Sequence, residues 1–382
     1  MNLMINRFLL LLIVVNSAFA AVLPVDRADI MYHKYEGDNM DISGPSVLVR
    51  KSFLDKFSVS ANYYVDNVTA ASIDVLANAS PYLEERTEYS VGVDYLVNKT
   101  TISTSFTNST ENDYEANTAY LGISQDFFGD LSTLAIGYAK GWDVVGNVAD
   151  PSFARDAGRN NFRLTWTQVV TKNLIMSAGF ETVTDQGYLN NPYRVVRFLD
   201  PTSGRGFSTQ TEIYPETRTS SAFAITAKYF LPYRAAIKFE ARNFSDTWDI
   251  QANNYEIAYI HPYADDWIFE LKYRSYEQTQ AEFYSDLFSF ANEQNFMARD
   301  KEMSAYTNQS VGFGVSYEYQ FAEGSMFKKF SANIMMDFFQ FDFDNFRNVL
   351  VHDTNPGAFA VGQEPLFSYD ATVSRVFFSI WY

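Results

Sequence analysis

The sequence predicts an all-β protein: a transmembrane, antiparallel, up-and-down β-barrel of about 16 strands, with roughly 14 or 18 as the neighbouring counts. Three observations carry this. Strand-length segments alternate apolar and polar residues with a period of two. Connections between them alternate short and long. The chain opens on an export signal and stops on an aromatic, alternating strand.

The export signal comes first. Arg7 precedes the apolar run Phe8–Val15, Asn16 and Ser17 break that run, and Ala18, Phe19 and Ala20 form an A-x-A cleavage pattern. Residues 1–20 read as a cleaved secretory signal peptide, and 21–382 as a single barrel domain. The run is too short to cross a bilayer as a helix. Ala21 replaces the Cys that a lipid anchor would need.

The alternation follows. In Glu88–Val97, Tyr89, Val91, Val93, Tyr95 and Val97 fall on one face, and Ser90, Gly92 and Asp94 on the other. The same pattern runs through Ser58–Asp66, Leu134–Ala139, Ala235–Arg242, Trp267–Arg274 and Val311–Tyr319. Aromatics near strand ends, such as Trp267 and Tyr273, suit the girdles at two membrane interfaces. Most of the Phe 34, Tyr 26 and Trp 5 are expected on the lipid face.

Proline tests the strand boundaries, because a strand inside a closed sheet cannot spare its N–H. All 11 prolines, Pro45 and Pro262 included, are expected in turns, loops or strand boundaries. Short connections are read at Leu54–Lys56, Val97–Lys99, Phe128–Asp130, Thr171–Asn173, Leu231–Tyr233, Pro262–Asp265 and Ala322–Lys328. Long ones lie near Thr69–Glu85, Val144–Gly158, Asp185–Glu216, Gln280–Glu302 and Phe343–Leu366. About seven short turns join about fourteen strands, and Ala28–Glu36 and Ser368–Tyr382 add one at each end. An even count with both termini periplasmic is what such barrels require.

The last strand is the most specific feature. Val376, Phe378, Ile380 and the terminal Tyr382 share one face. This looks like the sorting signal that the outer-membrane insertion machinery reads. The expected location is therefore the outer membrane of a Gram-negative bacterium, with outer-membrane lipid and lipopolysaccharide as surroundings.

Composition excludes other classes. Cys 0 rules out a disulfide scaffold, a thiolate zinc site, a Cys nucleophile and an iron–sulfur centre. A net charge of -17 and a pI near 4.6 argue against a nucleic-acid partner. No cofactor motif appears: Gly204, Arg205 and Gly206 have no strand leading into a helix behind them.

Several segments together resemble a proteobacterial family labelled only as a domain of unknown function. They are Leu23–Tyr35, Gly44–Lys51, Ser58–Asp66, Ala79–Val93, Asp113–Asn117 and Ser124–Gly129. The resemblance extends along the mature chain. It implies an outer-membrane barrel whose members sit near genes for a periplasmic flavin-transferring enzyme and a thioredoxin-like protein. It assigns no residue a role.

Candidate chemistry is sparse. An outer-membrane hydrolase would need Ser or acids beside His. His261 reads as a periplasmic turn residue, His352 as an outer-loop residue and His33 as a lumen residue, and none has a partner motif in sequence. The protein is therefore not expected to be an enzyme.

If Phe239 and Phe269 face lipid, then Lys238, Glu240, Arg242, Glu270, Lys272 and Arg274 face inward, joined by Lys228 and Glu256. Asp66, Asp94, Glu318 and Asp337 are expected inward on the other arc. These charges suit either a mixed-charge pore wall or a salt-bridged ladder filling a narrow lumen.

The longest outer loop carries Arg194, Arg197 and Arg205, which could fold in as a constriction or bind a partner outside. The acids Asp38, Asp41, Glu111, Asp113, Asp265, Asp266, Asp342 and Asp344 show no calcium-loop spacing and read as solvated or lipopolysaccharide-facing.

A barrel of about 16 strands leaves a lumen that holds water. The leading expectation is a porin-like channel for small solutes or a specific ligand. The alternative is a non-catalytic assembly partner for periplasmic redox or flavin-linked proteins. No large plug domain fits before the first strand.

Overall fold

The computed structural model describes residues 22–70, 82–354 and 357–382. The expected signal peptide, Pro81 and Pro356 lie outside the described residues.

Sixteen strands close into an antiparallel barrel. In order, β1 is Arg27–Gly37, β2 Met40–Phe53, β3 Phe57–Ala70, β4 Tyr82–Val97, β5 Thr100–Thr110, β6 Tyr114–Phe127, β7 Ser132–Val145, β8 Arg155–Thr171 and β9 Leu174–Gly187. A separate hairpin, β10 Val195–Leu199 and β11 Phe207–Thr211, follows in an outer loop. The barrel resumes with β12 Thr217–Phe230, β13 Ala236–Asp246, β14 Gln251–Tyr263, β15 Trp267–Gln278, β16 Tyr306–Gln320, β17 Lys329–Arg347 and β18 Leu366–Trp381. β9 pairs directly with β12, and β1 closes the ring on β18 with Arg27 opposite Trp381.

Closure satisfies the ladder hydrogen bonds of every barrel strand, which is why a sheet can cross hydrocarbon. Among the described residues no helix is long and apolar enough to cross a membrane. The chain crosses with strands whose outward side chains are apolar and bare: Val91 is 56% exposed, Phe239 43% and Phe269 42%. Outward rings pair near the turn, as Phe57 with Tyr95 at 4.8 Å, and again further along the same strands, as Tyr63 with Tyr89 at 5.1 Å. Six residues separate these tiers, about 20 Å along a strand.

The seven short periplasmic turns fall where the sequence places them. The left-handed conformation of Leu54 (φ 55) and Asp55 (φ 54) tightens the three-residue turn Leu54–Lys56 between β2 and β3. Three outer connections are also short: Asp38–Asn39, the Glu111–Asp113 turn and the Thr247–Ile250 turn. β17 also outlasts its expected end, so Phe343 and Asp344 are strand rather than loop residues.

Among the described residues, two prolines depart from the boundary rule. Pro262 is a residue of β14, opposite Ile268, next to the strand end. Pro45 stands inside β2, at a place where the β2–β3 ladder has no pairing between Ser43 and Ser46. The missing proline N–H is tolerated there because the ladder is already interrupted.

Candidate functional site

The inner wall carries a ladder of ion pairs, several of which skip a strand. His33 on β1 meets Asp66 on β3 at 2.7 Å, passing over Gly44 of β2. A Cβ on Gly44 would sit 1.7 Å from the Val65 carbonyl oxygen, so no other residue fits this crossing unchanged. Lys272 on β15 meets Asp337 on β17 at 2.8 Å over Gly312 of β16, and Arg375 on β18 reaches the same carboxylate at 2.6 Å. Arg242 on β13 reaches Glu181 on β9 at 3.2 Å over Ala222 and Ala224 of β12. A small residue on the middle strand opens the space for each long side chain.

Other inward residues pair more locally. Asp94 accepts from Arg50 at 2.5 Å and Ser103 at 2.6 Å. Lys238 lies 3.0 Å from Glu256 and 3.3 Å from Glu240. Glu318 pairs with Lys329 at 2.6 Å. Arg274 donates to the neutral Asn254. Among the described residues, Lys228, directly opposite Lys238, and Glu270 make no ion pair.

The outer third of the wall changes character. Phe339, Phe341 and Phe343 share the inward face of β17 with Asp337, while Gln340, Asp342 and Asp344 point outward. Lower on the same strand the outward residues are Ile334, Met336 and Phe338, each well exposed. The alternation therefore reverses phase where the strand leaves the bilayer, because there the outer face meets water and the inner face packs. β18 repeats this: Phe367 and Tyr369 join the inner cluster around Phe343 and Phe346, and Val376 and Phe378 face outward below. An inner aromatic tier thus stands beside the lipid-facing aromatics. Tyr276 and Tyr306 lie 5.6 Å apart, and Phe341 stacks on Tyr369 at 4.6 Å.

Three long outer loops interlock above this tier. Buried Arg197 of β10 donates to Glu364 at 2.6 Å and 3.1 Å and to the Asp286 carboxylate, joining segments far apart in sequence. Arg299 donates to Asp286 at 3.0 Å and lies over the Phe346 ring at 4.5 Å. Glu212 accepts the Arg299 and Asp300 backbone N–H groups at 2.6 Å and 2.8 Å, and the Tyr214 hydroxyl at 2.6 Å. Burial pushes the Glu212 carboxyl up, against those hydrogen bonds. Burial also opposes ionisation of Glu364, but hydrogen bonds from Arg197 and His352 prevail and hold it at about 2. An apolar core of Tyr214, Trp248, Ile250, Ala281, Phe283, Tyr284 and Ala298 fixes the cap to the β13–β14 turn.

The cap reaches into the barrel through the short helical turn Lys301–Met303. Lys301 is tied to Asp38 at the β1–β2 turn and lies over the Tyr369 ring. Beneath this turn is a cavity of about 700 Å³. Its wall includes Arg218, Glu240, Arg242, Asn254, Glu256 and Arg274, and its aromatic side Phe244, Tyr276, Tyr306, Phe341, Phe343 and Tyr369. A second cavity, about 410 Å³, lies within the cap and is lined by Arg205, Phe207, His352 and Phe359 among others.

The loop arginines do not form a constriction together. Arg197 is 2% exposed and bound inside the cap, and Arg194 pairs with Asp300. Arg205 is exposed beside the second cavity. The segment that roofs the lumen comes from the β15–β16 loop instead. The sequence marks it with four consecutive charged residues, Arg299, Asp300, Lys301 and Glu302.

Of the histidines, His261 departs from its expected place. His33 stacks on Tyr64 at 4.9 Å besides meeting Asp66. His352, on the short helix α1 (Val351–Thr354), meets Glu364 at 2.7 Å. Asp66 is 33 residues from His33 and Glu364 12 from His352, and neither spacing is a recognised motif. His261 is a strand residue opposite Phe269, stacked on Tyr259 at 5.8 Å, and not a turn residue.

Glu84, Glu111 and Asp113 gather their carboxylates within 4.8 Å at an outer turn. Burial and the Glu84 charge push the Glu111 carboxyl up. At the other end, Phe378 is 47% exposed and stacks on Phe330 at 6.2 Å. Ile380 pairs with Ala28, and the Tyr382 hydroxyl donates to the Arg50 carbonyl at 2.9 Å.

Residues 15–162 and 155–342 match the family described as "Protein of unknown function (DUF3570)". The chain belongs to this family. No protein of curated function matches it. This DUF3570 chain is similar in structure to a bacterial polysaccharide outer membrane secretin, with 7% identity, 94% of this chain and 100% of that chain covered, and a TM-score of 0.49. It is also similar to the CymD monoaromatic hydrocarbon channel (8% identity, 94% and 89% covered, TM-score 0.44). A third similar structure is outer-membrane expressed OmpT of Vibrio cholerae (11% identity, 94% and 99% covered, TM-score 0.43).

Proposed function

We propose that this protein is a porin-like channel of a Gram-negative outer membrane, held nearly shut by its own loops, that admits a small solute to a binding cavity in the lumen. The observation that carries this reading is the cavity of about 700 Å³ between the charged wall and the Lys301–Met303 turn. Its volume falls in the range that small-molecule sites occupy, and a sixteen-stranded wall encloses more space than side chains fill.

In this reading the cap is the gate. Arg197, Asp286, Arg299 and Glu364 hold three loops together, and Lys301 fastens the roof to the β1–β2 turn. The lipid face meets outer-membrane lipid, the outer acids meet lipopolysaccharide, and Phe378, Ile380 and Tyr382 serve the insertion machinery. Single-channel recording in planar bilayers tests the reading: small discrete steps are expected, and larger ones when Arg197→Ala loosens the cap. A barrel with no steps in either form would reject it.

A further inference from the structure

We propose that the lumenal cavity takes a small neutral carbohydrate, a mono- or disaccharide. The proposal rests on the channel reading above and adds the class of solute.

The polar wall supplies donors and acceptors in nearly equal measure. Among the described residues Arg274 donates to Asn254 alone, which leaves guanidinium N–H groups to spare. Among the described residues Arg242 makes one bond, at 3.2 Å, to a Glu181 already taken by Arg163 at 2.6 Å. On the acceptor side, Glu240 and Glu256 share the single cation Lys238. The excess of guanidinium on one part of the wall is offset by the excess of carboxylate on the other. Such a wall exerts little net pull on an ion. It suits hydroxyl groups, each of which donates and accepts at once.

The adjoining wall supplies flat apolar faces. Tyr276 sits beside Asn254 in the ladder, so the polar and aromatic parts are contiguous. Tyr306, Phe341 and Tyr369 continue the aromatic part along the next strands. A sugar ring has an apolar C–H face for those rings and an equatorial rim of hydroxyls for the charged side. A free inorganic anion would leave the aromatics unused, and a hydrocarbon would leave buried polar groups without partners.

The test is isothermal titration of the purified full-length barrel in detergent with glucose, galactose, mannose, maltose and sucrose, and with benzoate and phenylalanine as charged ring controls. At least one sugar is expected to bind, and neither control to bind as tightly. Arg274→Gln is expected to weaken the sugar about tenfold, and Tyr276→Leu several-fold. Heat-modifiable gel migration verifies folding of each variant, so either can carry the result.

The proposal is overturned if no sugar binds, if a control binds more tightly, or if both folded variants bind as the wild type does. Discrete conductance without sugar binding would reject the solute class and leave the channel standing. Sugar binding without conductance would do the reverse.

Discussion

His33 Nε2 lies 2.7 Å from Asp66 Oδ1, two strands away, because Gly44 on the strand between them has no side chain. The same arrangement recurs with Lys272 and Asp337 across Gly312. The wall of this barrel is braced by pairs that bridge over gaps, and the gaps are chosen by sequence.

Gly44→Ala is the sharper test of that bracing. Its Cβ would meet backbone, the Val65 carbonyl carbon and oxygen, which cannot swing aside. We predict a loss of at least about 3 kcal/mol, the upper part of the range for overpacking. The measurement is the temperature at which the barrel loses its fast gel migration. An unchanged temperature would contradict the bracing.

Gly312→Ala should be milder. The new Cβ would meet the Asp337 carboxylate and the Lys272 stem, both side-chain atoms able to give. We predict that Lys272 swings away and that Asp337 keeps Arg375, with a cost of about 1 kcal/mol. A cost as large as that of Gly44→Ala in the same melting assay would show that the two gaps are equally rigid.

The cap should fail at Arg197. Removing it leaves Glu364 and Asp286 without their shared cation, and one-sided loss of a buried pair costs about 3–5 kcal/mol. We predict faster hydrogen exchange in 188–216, 280–305 and 357–365, with the barrel strands unchanged. Protection that stays level in all three loops would contradict the lock.

Acid should loosen the same lock within a defined window. The Glu364 carboxyl lies at about 2 in the folded cap, against 4.5 when free. A depressed acid contributes stability that is complete above the free value and is lost as pH falls through the folded one. Exchange in the outer loops should therefore hold steady from neutral pH to about 4.5 and rise between 4.5 and about 2. Glu364→Gln should remove most of that dependence. Persistence of the full acid response in the variant would show that another group controls the cap.

Much of this is legible in the sequence. Period-two alternation placed Lys238, Glu240 and Arg242 on one face, and short turns such as Leu54–Lys56 and Asn98–Lys99 set the strand count. What alternation cannot express is contact across strands. Nothing near His33 in sequence names Asp66, and nothing near Arg197 names Glu364, 167 residues away. The aromatic tier had a signal that is easy to pass over: the phase of β17 reverses between Asp337 and Phe339. A strand that outlasts the bilayer changes which of its faces is wet, and its pattern changes with it.

The most direct test of the whole account is single-channel recording of the purified full-length protein in planar bilayers, wild type beside Arg197→Ala. The account predicts small, discrete and infrequent steps from the wild type, and larger or longer ones once the cap is unlocked. Silent bilayers with both proteins, after folding has been verified by gel migration, would contradict it.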